Sequence, residues 1–214
     1  MDVEKIFLLT ACLMILLNVF IQWQVYIKKN IITFSINSLI LAFFLLLLGY
    51  EKGEKTLYLI AILTIIVRVV FIPRFMIVRL SKDHWREREI YPIMGTASAI
   101  ICSILVVILG YIVYTFTLYD FLKIRSGALP IAIILQGLFL IISKRNTFVQ
   151  LIGYMIMENG VLLFGAKLFP GLPLIFEAGI VLDLIGIVMI SEIVNRLREN
   201  YVPEELEDIE ELKG

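Results

Sequence analysis

The sequence predicts an all-α protein: a polytopic transmembrane helix bundle of about seven spans, with its N-terminus outside and its C-terminus in the cytoplasm. Three observations predict it. Hydrophobic residues make up 60% of the 214 and charged residues only 18%, against roughly 45–50% and 25% in soluble domains. Apolar runs of about 20 residues alternate with short clusters of Lys, Arg, Asp and Glu, the spacing that bilayer thickness imposes on helices. Those Lys and Arg clusters are divided unevenly between the two sides of the runs.

Spans are expected at residues 6–27, 31–50, 56–78, 91–114, 127–143, 147–168 and 172–194. The first run follows Asp2, Glu4 and a single Lys5. It is too long for the apolar part of a signal peptide and lacks a basic start and a small-x-small cleavage site, so it reads as an uncleaved span. The fifth run is short, which requires packing by neighbours or an adapted bilayer. Connections of a few residues make successive helices antiparallel, and no linker divides the chain. One bundle is expected over 1–200, then an acidic cytoplasmic tail over 201–214. In that tail Pro203 suits a first helical position. Leu206, Ile209 and Leu212 would give a short amphipathic helix that docks on a partner, beside the plainer reading of a solvated tail.

Orientation follows from the loops. One side collects Lys28, Lys29, Arg79, Lys82, Arg86, Arg88, Lys144, Arg145, Arg196, Arg198 and Lys213, eleven in all. The other has Lys5, Lys52, Lys55, Lys123, Arg125 and Lys167, six in all. The richer side is expected in the cytoplasm, and an odd number of spans then puts the N-terminus outside.

Several functions are disfavoured by composition. Formal net charge is zero, so nothing points to nucleic acid. Cys12 and Cys102 lie in separate apolar runs without metal-ligand spacing and read as small hydrophobes. His84, the single histidine, falls in a charged loop, whereas a membrane cytochrome needs axial ligands within its helices. No nucleophile–base arrangement, metal cluster or glycine-rich phosphate loop is recognisable. The protein is expected to hold no cofactor or metal and to have no enzymatic activity alone.

Charges inside the apolar runs carry the argument further, because each costs at least ~2.5–3.5 kcal/mol to insert. Glu158 stands near the middle of the sixth span. Glu177 and Asp183 stand in the seventh, six residues apart, which is ~9 Å of rise and roughly 240° of turn. The pair therefore face different neighbours, with Asp183 at about the depth of Glu158. A carboxyl in a low dielectric holds its proton more tightly than in water and releases it when a cation or water approaches, the basis of a proton relay. The other reading is a protonated acid bonded to a neighbouring helix; three acids in adjacent spans favour the relay. Arg68, near mid-membrane in the third span, needs a partner and would tune a carboxylate. Arg74 is close enough to the end to snorkel, and Pro73 frees a carbonyl one turn back. Gly153 and Gly160 on the sixth span, and Gly179 and Gly186 on the seventh, each form a pair seven residues apart and read as close-packing positions. Lys144 and Arg145 mainly set topology and are candidates to gate the cytoplasmic side of Glu158.

The stretch Ser143-Lys-Arg-Asn146, then Gly153-Tyr-Met-Ile-Met-Glu158-Asn159-Gly160, then Leu172 to Asp183 with Glu177 between, resembles component E of the formate-hydrogenlyase type, or hydrogenase-4. Overall length and the Arg68–Pro73 element are similar too. The last three helices, over 143–194, are similar to the K subunit of respiratory complex I and the C subunit of multisubunit cation/proton antiporters. The motifs cover about 50 residues, the hydropathy likeness most of the sequence. This resemblance implies a multi-pass cell-membrane subunit of a group 4, energy-converting hydrogenase, whose Ni–Fe and Fe–S centres lie in a soluble arm of partner subunits. Antiporter-like and quinone-site-like subunits would be its membrane neighbours. Glu158 and Glu177 match the two carboxylates of the K subunit. Asp183 matches only the component E pattern, and Arg68 stands where that family commonly has Lys. Arg does not deprotonate, so here it would set a field without carrying a proton.

Two functions from different classes follow: an ion-translocating subunit working through Glu158, Glu177, Asp183 and Arg68, and a structural adaptor of the membrane arm. A free-standing transporter is disfavoured by the lack of a recognisable inverted repeat.

Overall fold

The computed structural model describes residues 3–82, 94–122 and 125–168, together with Gly179. These residues are helical almost throughout. Helix α1 covers Val3–Trp23 and α2 covers Ile27–Lys52. A third rod runs as α3 (Lys55–Thr64), a π-helical segment (Ile65–Phe71) and α4 (Ile72–Lys82). A fourth runs as α5 (Thr96–Val113), a second π segment (Tyr114–Leu118) and α6 (Tyr119–Leu122). Helices α7 (Ala128–Ser143) and α8 (Thr147–Leu168) complete it. Five stretches are long and apolar enough to cross a membrane: Val3–Trp23, Ile27–Lys52, Lys55–Leu80, Thr96–Leu122 and Thr147–Leu168, with Ala128–Ser143 apolar but shorter. The region expected to form the seventh span lies outside the described residues, apart from Gly179, which is helical. So do His84 and the acidic tail.

Helical periodicity sorts each rod into an inner and an outer stripe. On α1, Phe7, Ala11, Met14, Asn18 and Ile21 are buried, while Leu9, Leu13, Leu16 and Phe20 face outward. The outward stripe is as apolar as the inward one. That is the pattern of a protein solvated by lipid, where polarity is not needed outside and is tolerated inside only when satisfied.

Several boundaries differ from expectation; the third rod runs on to Lys82, so that Arg79 and Lys82 lie in α4 and not in a loop after residue 78. Lys28 and Lys29 were expected in a loop before a span starting at residue 31; they lie instead in the first turn of α2. The helix break comes earlier, at residues 24–26, with Tyr26 extended (φ −87°, ψ 119°). The shift lets Ile27 and Asn30 join the buried stripe while both lysines stay exposed, Lys29 above the Tyr26 ring at 5.2 Å. Long lysine stems allow a helix to start outside its apolar run. The fourth rod likewise continues past Tyr114 to Leu122 through its second π segment, which ends with the backbone N–H of Tyr119 on the Tyr114 carbonyl.

Turns are made by residues suited to them. Gly53 ends α2 in the left-handed region (φ 67°). Asn146 starts α8: its Oδ1 accepts from the backbone N–H of Phe148 (2.9 Å) and Val149 (3.4 Å). Helix α7, about 24 Å long at 1.5 Å per residue, packs on α1, α5 and α8. Glycines make that packing close. A β-carbon on Gly137 would stand 2.5 Å from Met157 N and 2.6 Å from Gly153 O, and one on Gly110 would stand 2.7 Å from Ala132 Cα. Gly153 and Gly160 press on α7 in the same way, which is the close approach expected of them.

Candidate functional site

The site begins with a break in the third rod. Proline has no N–H, so Pro73 cannot donate to the carbonyl four residues earlier, that of Val69. The helix widens into the π segment Ile65–Phe71 just before it, and Ser35 Oγ on α2 donates to Val69 O at 3.0 Å. The widened turn carries Arg68, which is only 2% exposed. Insertions of this kind favour functional positions because they re-aim a side chain.

The guanidinium points at α8. Arg68 Nη2 donates to Glu158 Oε2 at 2.5 Å and Nη1 donates to Asn159 Oδ1 at 2.6 Å. On α8 the buried stripe runs Ile152, Ile156, Asn159, Leu163, Ala166, so Asn159 is fully buried. Glu158 is one residue, or about 100°, round from it, and its side chain is 15% exposed. The Tyr154 hydroxyl, one turn earlier on the same side, donates to Glu158 Oε1 at 2.9 Å. A β-carbon on Gly179 would stand 3.8 Å from that oxygen. Glu158 thus has one oxygen on a cation and the other on a phenol.

From Asn159 a line of uncharged groups continues away from the ion pair. Asn159 Nδ2 donates to Asn37 Oδ1 (3.2 Å) and Ser38 Oγ (3.0 Å) on α2. Asn37 Nδ2 donates to Asn18 Oδ1 on α1 (3.0 Å) and to Met14 O (3.2 Å). Asn18 Nδ2 donates to Gln136 Oε1 on α7 (3.2 Å), and Gln136 Nε2 to Ser103 Oγ on α5 (3.2 Å). Every link joins two different helices, so the line runs across the bundle. A second, shorter contact joins α1 to α7, where Gln22 and Ser143 exchange bonds at 3.4 Å.

The direction of this line is set at its charged end. Arg can only donate, so Asn159 must present its carbonyl to Arg68 and its NH2 to α2. Asn37 must then meet that NH2 with its own carbonyl, and the constraint passes on to Asn18 and Gln136. Each amide dipole thereby points its negative end towards the guanidinium, which solvates a cation that lipid would not.

Of the residues singled out from sequence, Arg68 and Glu158 are brought together. Glu177 and Asp183 lie outside the described residues. Arg74 is exposed, in line with snorkelling, and Arg145 is exposed as well. Lys144 is buried at 6% exposure, its carbonyl accepting from Gln150 Nε2 at 2.8 Å; no contact links it to Glu158 among those described. Asn18, Asn37, Gln136, Ser103 and Tyr154 were not singled out. The signal for the amides was present: an Asn or Gln on the buried stripe of an apolar run needs a partner as surely as a charge does.

No protein-family model matches the sequence, and no solved structure matches it. It is similar to a protein of Mycobacterium tuberculosis (strain ATCC 25618 / H37Rv) described as "Uncharacterized protein Rv0085", with 23% identity over 203 residues, covering 94% of this chain and 92% of the other.

Proposed function

We propose that this protein is a non-redox, multi-pass cell-membrane subunit of a membrane-bound [NiFe] hydrogenase or formate hydrogenlyase complex, and that it takes part in proton or sodium translocation coupled to hydrogen production. The reading assigns it seven spans with the N-terminus outside. It leaves the Ni–Fe and Fe–S centres to a soluble partner arm, and places antiporter-like and quinone-site-like subunits beside it in the membrane. The observation that carries it is the Arg68–Glu158 ion pair, buried between apolar helices with the Tyr154 hydroxyl on the other carboxylate oxygen. A carboxylate held by a fixed cation and by a group that both donates and accepts is equipped to gain and lose a proton. Glu177 and Asp183 would continue the acidic path in the last span, as the resemblance to component E and the K subunit implies.

The test is Glu158→Gln in the whole complex. The complex should assemble and evolve hydrogen while vesicle acidification coupled to it is lost; normal coupling would reject the proposal. A second reading, a structural adaptor, draws on the amide line that ties five helices together. Under it the same variant pumps normally, and removing the subunit dismantles the membrane arm.

A further inference from the structure

We infer that the outward face of the fourth rod, from α5 into its π segment, receives a transmembrane helix of a different subunit, one that offers a hydrogen-bond acceptor at the depth of Tyr111. Nothing in this depends on Glu158; it requires only that the rod cross the membrane.

The fourth rod is the least covered of the long spans. Of its most apolar 18 residues 22% are buried, against 39–56% in the other four. Its inner stripe is Ala99, Ser103, Gly110 and Tyr114, on a rod seated against α7 and α1. Away from that stripe Ile101, Ile104, Leu105, Ile108 and Ile112 are all exposed. Lipid alone would serve such residues, since acyl chains are as apolar as isoleucine. One group beside them does not fit lipid. Tyr111 is 60% exposed, and its hydroxyl has no partner among the described residues. Thr115, one turn on, spends its only hydrogen on the Tyr111 carbonyl at 2.8 Å and makes no such demand.

That hydroxyl lies deep. Towards the two ends of the rod stand exposed Ser98, thirteen residues before Tyr111, and exposed Asp120, nine after it. These separations are ~20 Å and ~13 Å of rise, which together span the hydrocarbon layer. A helical side chain leans towards the N-terminus of its helix, so the phenol leans away from Asp120 and into the middle of the layer. Tyrosines of the interfacial belts keep the ring in oil and the hydroxyl among headgroups; here both are in oil. Water is absent at that depth and acyl chains carry no acceptor, so the O–H must be met by protein.

A second copy of this chain is a poor match. Copies in one membrane share an orientation, and a two-fold axis along the membrane normal sets each residue level with itself. At the depth of Tyr111 and deeper, this face would then offer only aliphatic side chains and the other Tyr111. Two tyrosines meeting across an axis leave one hydroxyl hydrogen unspent. The stretch after α8 has its described residue, Gly179, beside Glu158 on α8. A foreign helix meets the requirement if it carries a carboxylate, a side-chain amide or a carbonyl freed by a helix break.

The experiment incorporates p-benzoylphenylalanine at Ile108 or Ile112 of the full chain in its native membranes, irradiates them, and maps adducts by mass spectrometry. The expected adduct joins this chain to a subunit of different sequence, in a transmembrane helix with such an acceptor within one turn of the link. In Tyr111→Phe, the amount of that subunit retained per tagged chain through mild-detergent purification should fall severalfold. Ile108→Trp, harmless against fluid lipid, should displace the same subunit and serves if Tyr111→Phe fails to accumulate. An adduct between two copies, an internal link to residues 172–194, a linked helix without an acceptor, or no protein adduct at either position overturns the inference. So does wild-type retention in Tyr111→Phe or Ile108→Trp. None of these results bears on Glu158→Gln, whose outcome is read from ion flux alone.

Discussion

Ser35 Oγ on α2 donates a 3.0 Å hydrogen bond to the carbonyl of Val69, the group that Pro73 deprives of its helical donor. Between apolar helices no water competes for that carbonyl, so the serine replaces the missing N–H and allows the π segment holding Arg68 to persist.

Ser35→Ala should therefore lower stability by about 0.5–1.5 kcal/mol, the net value of one hydrogen bond. Restoring the N–H with Pro73→Ala should make the serine dispensable. The double variant should then lose less than the two single variants added together, as read from unfolding midpoints in detergent or nanodiscs. Strict additivity would show that Ser35 and Pro73 do not share the Val69 carbonyl.

The ion pair makes a sharper prediction. Arg68→Met leaves the Glu158 carboxylate without its cation, and losing one partner of a buried pair costs about 3–5 kcal/mol. Arg68→Met with Glu158→Met removes both charges and should recover most of that loss. A residual deficit of about 1 kcal/mol is expected, because Asn159 Oδ1 also loses its donor. Thermal unfolding of the three proteins checks it; a double variant weaker than Arg68→Met would mean that the charges are not each other's main support.

Close packing of α7 on α8 can be tested at glycines with opposite surroundings. Gly137→Ala would push a methyl to 2.5 Å from Met157 N, a backbone atom that cannot move aside. Overpacking of that kind costs about 1–3 kcal/mol. Gly95→Ala meets nothing within 4 Å at an ordinary φ of −59°. It should be neutral or raise stability by up to about 1 kcal/mol through the unfolded state. Comparing their melting temperatures decides whether α7 and α8 touch backbone to backbone.

These elements differ in how far they could be read beforehand. The apolar runs, the need of Arg68 for a partner and the packing role of Gly153 and Gly160 follow from local rules: bilayer thickness, the cost of a buried charge, and small residues at helix contacts. The early start of α2 does not, because burying Ile27 and Asn30 depends on tertiary neighbours that no single run specifies. The amide line was hidden for another reason. Asn18, Asn37 and Gln136 lie 19 to 122 residues from their partners in sequence, and a lone neutral amide lowers mean hydropathy too little to attract notice. The pairing of Glu158 specifically with Arg68 requires the α2–α8 and third-rod contacts that only the folded bundle supplies.

The polarity of the amide line gives the last prediction. Asn37 both accepts from Asn159 and donates to Asn18. Asn37→Asp keeps the shape, but an ionised carboxylate has acceptors only. It would still receive the Asn159 N–H, yet would set an oxygen against Asn18 Oδ1. Reversing Asn18 is not open to it, since its Nδ2 is already engaged by Gln136 Oε1. The protonated acid, in contrast, carries one O–H, which restores the donation to Asn18 while the one to Met14 O is lost at every pH. Folding therefore favours the protonated form of the introduced acid, and the linkage sign follows: stability closest to wild type at low pH, falling as pH rises. The wild-type protein lacks this group, so the difference between the two unfolding midpoints isolates it. A gap that widens from acid to neutral pH supports a line directed from Arg68 to Ser103. A gap independent of pH would mean that the amides at positions 18 and 37 are free to turn, and that Arg68 does not impose a direction on them.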